Sequence, residues 1–133
     1  MGADGLTTIA SSHGPKETMD RLVAAVKAKG LTVFARIDHA AGATEVGLPL
    51  RPTELLIFGN ARGGTPLMQA AQTSGIDLPL KALVWQDAAG KTWLSYNEPA
   101  FIAQRHGLGH EVDTPVSALT AALDAFARAA TSP

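Results

Sequence analysis

The sequence predicts an α+β domain: a mostly antiparallel sheet with helices packed on one face, in the order β-α-β4-α. Two observations carry this. The strongest helical periodicity follows the first strand and closes the chain, while β-rich runs cluster between. The connections between those runs are short, one of them a hairpin, which suits antiparallel pairing and not a doubly wound nucleotide fold.

Leu6 to Ser11 is short, Thr/Ile-rich and bounded by Gly5 and Gly14, the pattern of a first strand. Pro15 then suits the first turn of a helix, where its missing N–H would have no partner anyway. Glu17 follows where negative charge meets the positive end of the helix dipole. Met19, Leu22, Val23 and Val26 recur on one stripe, and Gly30 is suited to the left-handed turn that stops the helix. From Leu31 to Asp38 the residues alternate. Leu31, Val33, Ala35 and Ile37 fall on one strand face; Thr32, Phe34, Arg36 and Asp38 fall on the other.

His39 to Ala43 has room for one helical turn, and the prolines between Gly47 and Pro52 make a connector. Glu54 to Phe58 is a continuous apolar run, expected as a central strand covered on both faces, with Leu55, Ile57 and Leu83 in the core. Gly59 to Gly64 reads as a loop, with Thr65-Pro66 capping and opening a helix. Lys81 to Gln86 and Lys91 to Tyr96 flank Asp87-Ala88-Ala89-Gly90 as a hairpin. Glu98 to His106 forms a short helix ending at Gly107. Thr114-Pro115 opens a last helix over about 115–130, with Leu119, Leu123 and Phe126 on one side and a frayed end at Thr131-Ser132-Pro133.

At 133 residues the chain is expected to be a single domain over 1–133. A folded chain of this mass should expose about 6,600 Å², roughly a third of its extended surface, so it needs no covalent staples. There is no cysteine, which excludes a disulfide scaffold, a thiol nucleophile and a Cys zinc site. Eleven basic against twelve acidic residues leave no footprint for nucleic acid. No apolar run approaches the roughly 20 residues of a membrane span. Met1-Gly2-Ala3-Asp4 lacks the basic start of a signal peptide, so a soluble cytoplasmic protein is expected.

Several stretches together resemble one family. They are Ala35 to Ala43, Arg51-Pro52-Thr53-Glu54, Ile57-Phe58-Gly59-Asn60, Gly64-Thr65-Pro66-Leu67-Met68, Asp77-Leu78-Pro79-Leu80-Lys81 and Ser95-Tyr96-Asn97. These resemble the bacterial and archaeal domain-of-unknown-function family numbered 302, over about residues 8–108. The resemblance implies a small α+β domain with a TATA-binding-protein-like layout, often dimeric, and implies no activity. Family members commonly carry proline after the Phe-Gly-Asn motif; here that position is Ala61.

Two constellations are candidate sites. In the first, Asn60, Arg62, Gly63, Gly64 and Thr65 lie between a strand and a helix. Free backbone N–H groups there would hold an anion and Arg62 would add charge, although neither a P-loop nor a dinucleotide fingerprint is present. The same glycines also serve a tight turn, and Thr65 a simple cap. In the second, Arg36, Asp38 and His39 sit at a strand end, where Asp38 would orient His39 for proton transfer and Arg36 would hold a carboxylate or phosphate. An ion pair and a histidine bonded to its own turn would look the same.

His13, His39, His106 and His110 raise metal or haem binding, but Gly107 and Gly109 break the only close spacing, so no metal or other cofactor is assigned. Trp85, Trp93 and Tyr96 on the hairpin suit packing or an interface. The expectation is a non-catalytic homodimeric module for a small anionic ligand, without nucleic-acid or membrane partners. An enzyme using Asp38 and His39, and metal or haem binding by histidine, remain the alternatives.

Overall fold

The computed structural model describes residues 3–133, so Met1 and Gly2 of the segment read for a leader lie outside the described residues. Its strands are β1 (Leu6–Ala10), β2 (Thr32–Asp38), β3 (Thr53–Gly59), β4 (Leu80–Gln86) and β5 (Thr92–Asn97). Its helices are α1 (Pro15–Ala28), α2 (His39–Glu45), α3 (Ala61–Ala70), α4 (Pro99–Arg105) and α5 (Asp113–Thr131), with short 3₁₀ turns at Gln72–Ile76 and His110–Val112. All strands pair antiparallel in the order β1-β5-β4-β3-β2. The protein is α+β, with the expected strand and helix order.

Strand pairing sorts the side chains into two faces. Leu56 and Phe58 of β3, Ala82 and Val84 of β4, and Leu94 of β5 turn to the helices and are buried. They meet Met19, Leu22 and Val26 of α1 and Leu123 and Phe126 of α5 in one core. Phe58 and Phe126 pack edge to face with ring centres 5.9 Å apart. On the opposite face Leu55, Ile57, Leu83 and Trp85 are only half-buried. The β3 run is thus an inner strand as expected, but helices cover only one of its faces. Leu55, Ile57 and Leu83 are not core.

Three further expectations are corrected. In β2, Val33 opposes Phe58 and Ala35 opposes Ile57, leaving Phe34 as an extra residue in a bulge. A bulge breaks the period of two. Ala35 is therefore turned away from the face that Val33 shares with Phe58, and Arg36 faces α1. The helix expected from Thr65 begins at Ala61 instead, with Asn60 as its cap: Gly63 N–H donates to Asn60 Oδ1 at 2.7 Å. Glycine weakens a helix interior, but the cap satisfies an orphan donor and Leu67 is fully buried, which outweighs the propensity. A Cβ on Gly63 would lie 3.3 Å from Leu119, so glycine also permits close approach of α3 to α5. Finally, the last turn of α5 is held. Ser12 N–H donates to the Thr131 carbonyl at 2.8 Å, and the His13 ring lies 2.6 Å from the Ser132 carbonyl oxygen.

Candidate functional site

The residues singled out from sequence are distributed over three depressions. The first is a cavity of about 470 Å³ among α3, α5, the bulge of β2 and the segment leading into β4. Asn60, Gly63 and Gly64 line it, with Phe34, Met68, Leu78 and Leu119 supplying much of its apolar wall. The bulge places Phe34 there, and Gly63 and Gly64 add no side chains to the α3 wall beside Met68. No lining residue is ionisable. Arg62 and Thr65 are exposed and do not line it, although Arg62 stands between Ala61 and Gly63, which do.

The second depression is lined by Arg36, Asp38, Lys16 and Glu54 among others. Arg36 is committed to ion pairs with Asp20 of α1 at 3.0 Å and with Glu54 of β3. Burial works against its charge, yet the bonds to Glu54 and Asp20 prevail and raise its pKa. Asp20 is held below the usual carboxylate range by hydrogen bonds from Lys16 and Arg36. Asp38 caps α2, accepting from Ala41 N–H at 2.9 Å.

His39 lines the third depression, about 490 Å³, on the open face of the sheet. Leu55, Leu83 and Trp85 form much of its floor, and Lys81, Ser95 and Asn97 also border it. Asp38 and His39, neighbours in sequence, therefore line different depressions, and the Asp38 carboxylate is bonded to the α2 backbone.

Sequence reasoning missed a polar cluster between the 3₁₀ turn Gln72–Ile76 and the end of α4. Arg105 donates to both Asp77 oxygens at 2.8 Å, and His106 Nε2 lies 2.6 Å from Asp77 Oδ2. Thr73 Oγ1 lies 2.9 Å from His106 Nδ1. Burial pushes the Asp77 pKa up, but the hydrogen bond from His106 and the charge of Arg105 outweigh it and leave it lowered. Asp77 and His106 are 29 residues apart, so no local spacing could have paired them. His110 is bonded to Asp113 and His13 to Glu17, so these histidines do not converge on His106. Among the described residues no group of three His, Cys, Asp or Glu side chains is placed to hold a metal ion.

The profile of the family described as domain of unknown function DUF302 matches residues 7–126. Over 115 residues the chain is 52% identical to proteins named fluoride-specific ion channel FluC 1 from Brucella suis and from Brucella abortus. The match covers 86% of this chain but only 45% and 43% of those relatives, so the chain spans less than half their length. The fold is similar to the crystal structure of an uncharacterized conserved protein DUF302 from Bacillus stearothermophilus. That likeness has a TM-score of 0.84 at 22% identity and covers 96% of this chain and 99% of that one.

Proposed function

The chain belongs to the DUF302 family, and on that premise we propose that it is a non-catalytic, homodimeric cytoplasmic module that binds a small amphiphilic anion. The observation that carries this reading is the cavity beside α3, which is apolar and lined by no ionisable side chain. Acid–base catalysis needs a titratable group within reach of the reacting atom. A cavity without one suits holding a ligand and not turning it over. Its size falls within the usual range for small-molecule sites. The apolar body of the ligand occupies the cavity, and its anionic head projects past Asn60 to the side chain of Arg62.

Relatives of this chain named for fluoride-specific channels contain the matched region in less than half their length. Among the described residues no helix is long and apolar enough to cross a membrane. In polypeptides of that kind a helical pore would lie in the part outside the match. The domain would then be an accessory that reads a ligand beside it.

Calorimetry with octanoate and octanol tests the cavity. Both should bind, and Ala118→Phe, which places a ring at the lining, should weaken both. Arg62→Ala should weaken octanoate alone, by roughly 1.5–3 kcal/mol, the worth of a hydrogen bond to a charged group. The melting temperature of Arg62→Ala should barely move, because an exposed arginine adds little to folding. The reading fails if neither probe binds, or if Ala118→Phe leaves both affinities unchanged.

A further inference from the structure

A second group of residues, on the opposite side of the sheet from α1 and α5, has the chemistry of a ligand site. The depression there holds about 490 Å³. Its only ionisable side chains that carry or can gain positive charge are Lys81 and His39, and no carboxylate lines it. Its floor is Leu55 and Leu83, flanked by the Trp85 ring.

The polar side-chain atoms of Trp85 and Ser95 on that floor are already satisfied. The Trp85 indole N–H donates to Ser95 Oγ at 2.9 Å, and Ser95 Oγ lies 2.8 Å from Thr8 Oγ1. An apolar ligand covering them strands no donor or acceptor. Trp93 stacks on Trp85 with ring centres 6.1 Å apart and 24° between planes, which fixes the indole as a flat wall.

Lys81 supplies the charge at one end. Its ammonium donates to the backbone carbonyls of Pro79 at 3.2 Å and Asp77 at 3.4 Å. Two tethers hold the nitrogen in place and leave its third N–H for a ligand. The nearby Asp77 carboxylate does not compete for it, being bound by Arg105 and His106. His39 borders the same depression from the start of α2.

We propose that this open face is a second binding site, taking a small aromatic carboxylate whose ring lies along Leu83 and Trp85 and whose carboxylate is held by Lys81. The ring explains the flat indole wall and the apolar floor. The carboxylate explains a tethered ammonium in a depression free of negative charge, since a charge-assisted bond there has no internal rival. This depression shares no lining residue with the cavity beside α3.

The chain has only two tryptophans, so its indole N–H resonances give one signal for the depression and one for its neighbour. The experiment is a titration of the labelled full chain with naphthoate and, separately, with the neutral naphthalenemethanol. Naphthoate should shift the Trp85 resonance saturably and bind about tenfold more tightly than the alcohol. Lys81→Met should remove that preference, with Lys81→Gln as a second variant if the first does not fold. Ala118→Phe, which alters only the cavity beside α3, should leave the titration unchanged. The proposal is overturned if both probes bind equally, or if the preference survives the loss of Lys81. It is equally overturned if the Trp85 resonance does not move, as it would not if a second copy of the chain covered this face.

Discussion

Asp77 shows how a single side chain joins two segments that sequence leaves apart. Its carboxylate ties the turn Gln72–Ile76 to the end of α4 through Arg105 and His106. Its pKa in the folded protein is lowered, below an unfolded value of about 3.9. Such a group stabilises fully above the unfolded value, and the contribution is lost as pH falls through the folded one. Urea midpoints should therefore favour the wild type over Asp77→Asn at neutral pH, and the gap should narrow below about pH 4. A gap that stays constant down to strong acid would mean that the charge of Asp77 adds nothing. Local chemistry is easier to read than this pairing, but its purpose is not. Asp38 and Asn60 were legible as polar residues before helices. The structure uses both as caps, because an acceptor that satisfies free helix N–H groups does for the fold what a bound anion would do. Sequence cannot tell which acceptor occupies those donors.

Strand β3 carries the same lesson at the level of elements. Its unbroken apolar run reads as covered on both sides, and its inner position was legible from that pattern. The identity of the covering was not, because periodicity reports which residues avoid water and not what shields them. Here Leu56 and Phe58 meet the helices, while Leu55 and Ile57 lie on the open face. Leu56→Ala should cost about 2–5 kcal/mol in chemical denaturation, the range for emptying a closed core site. Ile57→Ala should cost less, since its side chain is only partly buried and leaves no sealed cavity. Equal costs would mean that something covers the open face in solution. The hairpin was also legible, and the structure shows why. Asp87 accepts from the backbone N–H groups of Ala89 and Lys91 and from the Trp93 indole, so the turn is specified within its own residues. The bulge in β2 had no such signature, because it follows from how β2 meets β3.

The whole molecule exposes more surface than its mass requires. Its accessible area is 7433 Å², against about 6,600 Å² for a typical monomer of this size. That surplus, about 800 Å², is close to what each partner buries in a standard protein interface. Part of it lies in the segment between α2 and β3, where Val46, Leu48 and Leu50 are 71%, 63% and 49% exposed. Three large apolar side chains so close together on an exposed connector are costly to leave in water. A second copy of the chain is the partner that the homodimer reading supplies, and symmetric pairs are the commonest assembly. Light scattering should then give twice the 13.8 kDa chain mass, and Leu48→Asp should return the mass to that of one chain. The aspartate would be solvated in the monomer but buried without a partner in the dimer, so it should destabilise association and not folding. Its thermal midpoint, measured where the wild type is dilute enough to dissociate, should match that of the wild type. Naphthoate binding at Lys81 should survive Leu48→Asp, because no connector residue lines the open-face depression. A wild type that remains monomeric at high concentration would rule out the dimer, leaving the exposed connector without a partner while both ligand sites stand or fall on their own titrations.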